Sequence, residues 1–234
     1  IMALQLNEQV VPYKEFDGKI TEQMPKLIKE GRLPVSVSGL MQRRLQVDDA
    51  KYSSEVRSAW HDNYFDTGDA IVYHPDGKVK IVHDAKSLRE ISPNSKLSDG
   101  ALVLPAGAYE SLDGAQFTKE DLRKYMKDSL TRAEAKSNPL WNAMARDGNL
   151  LDAYVDFVFD TNQKRFSYDQ NMGLYVGSSQ KDETARSVFV DGLRDGSGAD
   201  GRGHLGIDSG HLVGVAPEAR VAAKAVPQAL EQRV

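Results

Sequence analysis

Two aspartates and a lysine carry the sharpest chemical possibility in this chain. Asp69 and the triplet Asp84-Ala85-Lys86 are separated by 14 residues. Carboxylates at the ends of two paired strands can hold Mg²⁺ between them, and a lysine just beyond the second can orient an attacking water. Glu55 would add a third acidic ligand from a preceding helix. The plainer alternative is that these charges solvate the two ends of a hairpin. Other chemistries find less support. The five histidines, His61, His74, His83, His204 and His211, show no HxH or HExxH spacing, so no metal site is expected. With no cysteine in 234 residues, thiolate catalysis, disulfides and cysteine-bound metals are excluded. Trp60 and Trp141 are assigned to the core, and Arg43, Arg44, Lys78 and Lys80 to solvated faces.

The elements that must position these groups follow from local pattern. Residues 69–84 alternate around His74-Pro75-Asp76-Gly77. Asp-Gly supplies the positive φ of a tight turn, which predicts a β-hairpin with strands at 70–73 and 78–82. Residues 20–31 predict an amphipathic helix closed by Gly31, with Pro25 tolerated only near its first turn. Further helices are predicted over 53–63, from the Thr118 capping box to about 129, and from Asn138-Pro139 to Gly148. Another covers 150–159, where Leu150, Leu151, Tyr154, Val155, Val158 and Phe159 recur at helical spacing. Short strands are predicted at 101–104, 173–177, 186–190 and 212–215, and an alanine-rich helix, interrupted at Pro227, at 218–234. Strands and helices come in blocks without βαβ alternation, which favours an α+β fold.

The acidic pair and lysine resemble the PD-(D/E)xK nuclease core. Against that resemblance, Asp69 follows Gly68 and not proline, and only 87–91 remain for the helix after Lys86. The enzyme reading therefore stands as the alternative. Net charge is −4 with both signs interspersed, so a nucleic-acid-coating surface is not expected. No apolar run approaches the roughly 18 residues of a membrane span, so no membrane insertion is expected. The segment after Met2 lacks the basic and apolar regions of a secretory signal, which points to the cytoplasm or a particle assembled there.

A different kind of signal lies near the C-terminus. Residues 184–217 contain no Lys, Glu, Gln, Met or Trp, although these types fill 47 of the 234 positions. A random window of that length would lack all five less than about once in a thousand draws. The segment instead holds 8 of the 19 glycines, with four aspartates, three arginines and two histidines. A solvated Asp/Gly loop is the plain explanation for such content. A calcium loop is not, because no Asp-x-Asp-x-Asp-Gly pattern with a following Glu occurs.

The missing residue types carry a resemblance. If both adenines of an AAC codon are replaced freely, the products encode every amino acid except Lys, Glu, Gln, Met and Trp. That pattern resembles the variable proteins of diversity-generating retroelements, most closely the archaeal ones, which adopt a C-type lectin fold. A second resemblance lies in motif order. Ala101-Leu102-Val103-Leu104-Pro105-Ala106-Gly107-Ala108-Tyr109 is similar to the opening strand of the formylglycine-generating-enzyme type of C-type lectin. Met172-Gly173-Leu174-Tyr175, Arg186-Ser187-Val188-Phe189-Val190 and Gly210-His211-Leu212-Val213 are similar to its later strands. The resemblance covers about 101–215. Val188-Phe189 replace expected small residues and His211 an expected aromatic. That enzyme's catalytic cysteines are absent, so its activity is not implied.

The resemblance implies a mixed α+β lectin-like domain over 99–217, with variable region 184–217, an N-terminal accessory region 1–98 that could share the domain, and a tail 218–234. It implies no enzyme activity and no cofactor, but recognition of a variable macromolecular ligand, a protein in the first instance. Leu193, Ala199, Leu205, Leu212, Val213 and Val215 are expected as buried anchors among small polar residues. Phe189, Asp191, Arg194, Asp195, Asp200, Arg202, His204, Ile207, Asp208 and Ser209 are expected to form the exposed binding face.

Overall fold

Gly77, at φ 95°, lets the chain reverse between His74 and Lys78, whose N–H and C=O pair at 3.0 Å. The predicted hairpin is the centre of the fold. A computed structural model describes residues 12–49 and 51–216; the predicted 218–234 helix lies outside them. The strands are β1 (Tyr13–Asp17), β2 (Leu33–Pro34), β3 (Phe65–Tyr73), β4 (Val79–Val82), β5 (Leu97–Ser98), β6 (Ala101–Val103), β7 (Ala115–Phe117), β8 (Leu174–Tyr175), β9 (Thr184–Val190), β10 (Ala199–Asp200) and β11 (His211–Val215). The helices are α1 (Ile20–Lys29), α2 (Val37–Val47), α3 (Ser54–His61), α4 (Lys86–Arg89), α5 (Ala108–Ser111), α6 (Lys119–Tyr125), α7 (Arg132–Ser137), α8 (Pro139–Ala145) and α9 (Gly148–Phe166). This is an α+β chain.

The central path of the sheet runs β1-β11-β3-β9-β10-β8, with β4 on β3 and β6 on β9. Strands from 13–98 therefore pair directly with strands from 99–216: β3 with β9 and β11, and β1 with β11. All nine residues of β3 are buried because helices cover both faces of the sheet. Ile71 and Tyr73 face a core shared with Leu40, Trp141 and Tyr154 of α2, α8 and α9. Ala70 and Val72 face a second core with Ile20, Met24 and Leu27 of α1. The two-residue alternation of a strand thus divides the apolar residues between two layers.

Helix starts follow their caps. Thr118 and Asp121 form the predicted capping box, Asn138 caps α8 with Pro139 at its first position, and Asp147 caps α9. Several boundaries differ from expectation. α6 ends at Tyr125, where Met126 turns extended, and α9 continues to Phe166. Pro25 sits in the second turn of α1, inside the helix. α2 and α7 arise where no helix was predicted. The placement of Arg43, Arg44 and Lys80 on solvated faces is corrected, since all three are buried. Lys80 Nζ donates to the carbonyls of Tyr109 and Leu112, and Arg43 lies over the rings of Tyr13, Tyr52 and Trp60. Lys80 and Arg44 are satisfied by the groups around them, as burial demands, whereas Arg43 donates Nη1 to Gln46 and leaves its buried Nε without a hydrogen bond. Trp60 and Trp141 are core residues, as expected. Among the described residues no helix is long and apolar enough to cross a membrane.

Candidate functional site

The segment after β9 must cross the sheet. β10 and β11 flank the β3–β9 pair, so the connection from Asp200 to His211 passes over two strands. Side chains that hold this connection in place come from the framework. Arg186, buried in β9, donates Nη1 to the carbonyls of Arg202 and Gly203 and Nη2 to the backbone and side chain of Asp99. Tyr73 Oη donates to the carbonyl of Gly201 at 2.7 Å. Gly100 sits at φ 73°, and a Cβ there would lie 2.2 Å from the His204 ring, so only glycine leaves room for that imidazole.

The earlier loop, 191–198, is held from the other side. Arg44, fully buried in α2, donates to the Ser197 hydroxyl, the Tyr154 hydroxyl, and the carbonyls of Trp60 and Asn63. Four hydrogen bonds from one planar group are thereby spent on a junction of α2, α3, α9 and the loop. The register is fixed at the same level by β9 against β3, where Phe65 faces Val190 and Asp66 faces Phe189. A bulge follows between Asp66 and Ala70, and Thr67 Oγ1 and Ser187 Oγ bridge it by donating to the carbonyls of Val188 and Thr67.

Against this framework the expected anchors Leu193, Ala199, Leu205, Leu212 and Val213 are buried, with Val215 partly so. Of the ten expected face residues, Arg194, Asp195, Arg202, His204, Ile207, Asp208 and Ser209 are exposed, and Phe189 and Asp191 are half-buried. Asp200 is corrected: it is buried, and its carboxylate accepts from the backbone N–H, Nε and Nη2 of Arg202. Its role is to aim Arg202, whose guanidinium lies 4.5 Å from the Tyr175 ring centroid.

Aromatic rings back the face near Ser209. Gly203 lies against Phe189, and the Phe189 and Tyr64 rings meet edge-on at 6.3 Å. The Tyr64 hydroxyl donates to the carbonyl of Ser209. Arg194 lies apart from these, in an open groove with Asp62, Arg165, Phe166 and Tyr168. Tyr64, Tyr168 and Tyr175 were not anticipated as neighbours of the face; nothing in their local sequence distinguishes them from ordinary core or loop tyrosines. Two carboxyls beside the face are pushed up to about 6. Burial raises Asp191, reinforced by Asp195 and Asp200. Burial also raises Asp66, opposed by the amide and imidazole of His211.

The acidic pair at the hairpin mouth is placed differently from a metal site. Asp69 is fully buried, accepting from the Val37 and Asp84 amides and from Arg146 Nη2. Burial pushes its carboxyl upward, but the His83 ring, the Arg146 charge and those amides outweigh it and hold it below the usual range. Lys86 is exposed and pairs with Glu90 along α4 at 3.5 Å; Glu55 is exposed in the first turn of α3. Among the described residues the sole cluster of three potential metal ligands is elsewhere, at Glu15, Asp17 and His211. Linear histidine spacing could not reveal it, because strand pairing creates it.

A mixed sheet between two helical layers, with the last described strand joined to the first, is shared with a C-type lectin fold. The chain matches a solved structure described as the accommodation of massive sequence variation in Nanoarchaeota by the C-type lectin fold. The two share 16% identity and a TM-score of 0.64, over 87% of this chain and 97% of the other. The likeness is wider than the 101–215 stretch in which the motifs were read. No family model matches the chain, and no curated protein does.

Proposed function

We propose that this chain is a ligand-binding protein whose C-terminal loops are diversified by adenine-directed retroelement mutagenesis to recognise a variable partner, a protein. One observation supports this above others. Within the compositionally restricted segment, Leu193, Ala199, Leu205, Leu212 and Val213 are buried as anchors while Arg194, Asp195, Arg202, His204, Ile207, Asp208 and Ser209 remain exposed. A surface can change its side chains freely only where folding does not depend on them. Phe189 and Asp191 form the inner edge of the contact set, and Asp200 positions Arg202. Arg and Asp supply charge-assisted hydrogen bonds and Ile207 and Phe189 apolar contact.

The gene's surroundings test the diversification directly. A reverse-transcriptase gene nearby is expected, with a near-copy of the DNA encoding 184–217 that differs only where the copy has adenine. Differences spread over all four bases, or no copy at all, would remove the mutagenesis and leave a lectin-fold binder of fixed specificity.

A further inference from the structure

On the antiparallel β1–β11 pair, Asp17 faces His211 and Glu15 faces Val213. Residues two apart on a strand share a face, so Glu15, Asp17 and His211 project to one side. One ligand atom from each lies within 4.8 Å of the others. His211 Nε2 stands 2.5 Å from Glu15 Oε1, and Nδ1 stands 3.5 Å from Asp17 Oδ1.

A second observation points to a ligand. The Glu15 side chain is only 9% exposed. Its Oε1 and His211 Nε2 are both shut off from solvent, yet neither makes a hydrogen bond of acceptable geometry. Their separation is shorter than the roughly 2.7–3.2 Å of an ordinary N–H···O bond. A buried carboxylate and a ring nitrogen this close repel unless a proton or a cation lies between them. Opening the gap by less than about 1 Å gives the spacing of about 3.3 Å between two ligands of a tetrahedral ion bonded at about 2.0–2.1 Å.

We infer that Glu15, Asp17 and His211 bind a divalent transition-metal ion of the Zn²⁺ type. One imidazole with two carboxylates suits zinc and its neighbours, whereas Mg²⁺ and Ca²⁺ favour oxygen-only shells. Asp17, 57% exposed, forms the open side and leaves one coordination position to water. The backbone N–H of His211 donates to Asp66, and the Tyr64 and Phe65 rings meet the imidazole edge-on, fixing its orientation. The bound ion ties edge strand β1 to the closing strand and goes beyond the ligand-binding reading, on which it does not depend.

The test uses the full chain, freed of metal by chelator and titrated with ZnCl₂ by calorimetry, with CaCl₂ and MgCl₂ as comparisons. One zinc per chain is expected, with a melting temperature that rises with zinc concentration. Glu15→Gln and Asp17→Asn should each weaken zinc binding by roughly tenfold or more, while Glu120→Gln on exposed α6 should leave it unchanged. His211→Phe should abolish it; Asp17→Asn, at an exposed position, decides the matter if His211→Phe does not fold. No heat at about 100 μM zinc, undiminished binding in the Glu15 and Asp17 variants, or a preference for Ca²⁺ over zinc would each overturn the site.

Discussion

At the mouth of the β3–β4 hairpin, Asp69, Asp84 and Arg146 meet with every oxygen of Asp69 engaged. In the loops beyond β9, arginines and aspartates of the same chemical kind stand exposed, Arg194 and Asp195 among them. The first group has the spacing of a catalytic centre and serves as a clasp between α2, the hairpin and the turn after α8. The second has no catalytic spacing and is where side chains are free to meet a partner. Residue type is common to both; what separates them is whether the backbone around them needs the charge. Asp69 accepts from two backbone amides, whereas in the loops the carbonyls of Gly201, Arg202 and Gly203 accept from Tyr73 and Arg186, and the Ser197 hydroxyl accepts from Arg44.

The largest effect that would break this contrast is expected at Asp69. Asp69→Ala removes the acceptor of two backbone N–H groups and the nearer of the two carboxylates that pair with Arg146, and should cost about 3–5 kcal/mol in urea denaturation. A loss below about 1 kcal/mol would show that the clasp is dispensable and would reopen the question of what the carboxylate is for.

How far these roles could be read from sequence depends on range. The hairpin, the Thr118 capping box and the Asn138-Pro139 start were legible because their signals span four residues or fewer. α7 also carries a local box, Thr131 with Glu134; its six residues are too few to show an apolar period, which is why it was missed. The buried anchors of the restricted segment were legible as isolated leucines and valines. Asp200 was not: an aspartate in a glycine-rich loop reads as solvated, and its burial comes from β10 lying between β9 and β8. Arg44 was unreadable for the same reason. Its partners Tyr154 and Ser197 are 110 and 153 residues away, and no local pattern reports such contacts.

A smaller effect sharpens the contrast within β3 itself. Asp66 and Asp69 are three residues apart, yet Asp66 lacks the cationic partner that Asp69 has in Arg146, and its carboxyl is raised to about 6. An unfolded aspartate titrates near about 3.9. Between these values the folded chain holds a proton that the unfolded chain has released. This contribution to stability is therefore present below about pH 4 and is lost as pH rises through about 6. Asp66→Asn should remove a contribution on the order of 2 kcal/mol from the difference between pH 4 and pH 7.5. Asp191, raised to about 6 by a similar burial, leaves a residual slope. An unchanged pH dependence in Asp66→Asn would mean that the carboxylate is stabilised as well as Asp69 is.

The smallest effect is expected where the binding face is most exposed. Replacing Arg194, Asp195, His204 and Asp208 together by alanine should change stability by no more than about 0.5 kcal/mol each, shifting the melting temperature by no more than about 4–8 °C. None of the four supplies a side chain on which a buried group of the framework depends. Asp200→Ala is the informative partner experiment, because that carboxylate is buried and holds the Arg202 guanidinium and amide. It should cost more than any one of the four and should loosen Arg202 from Tyr175. If the fourfold variant unfolds while Asp200→Ala does not, the division between scaffold and replaceable surface runs the other way, and the loops beyond β9 belong with the hairpin clasp.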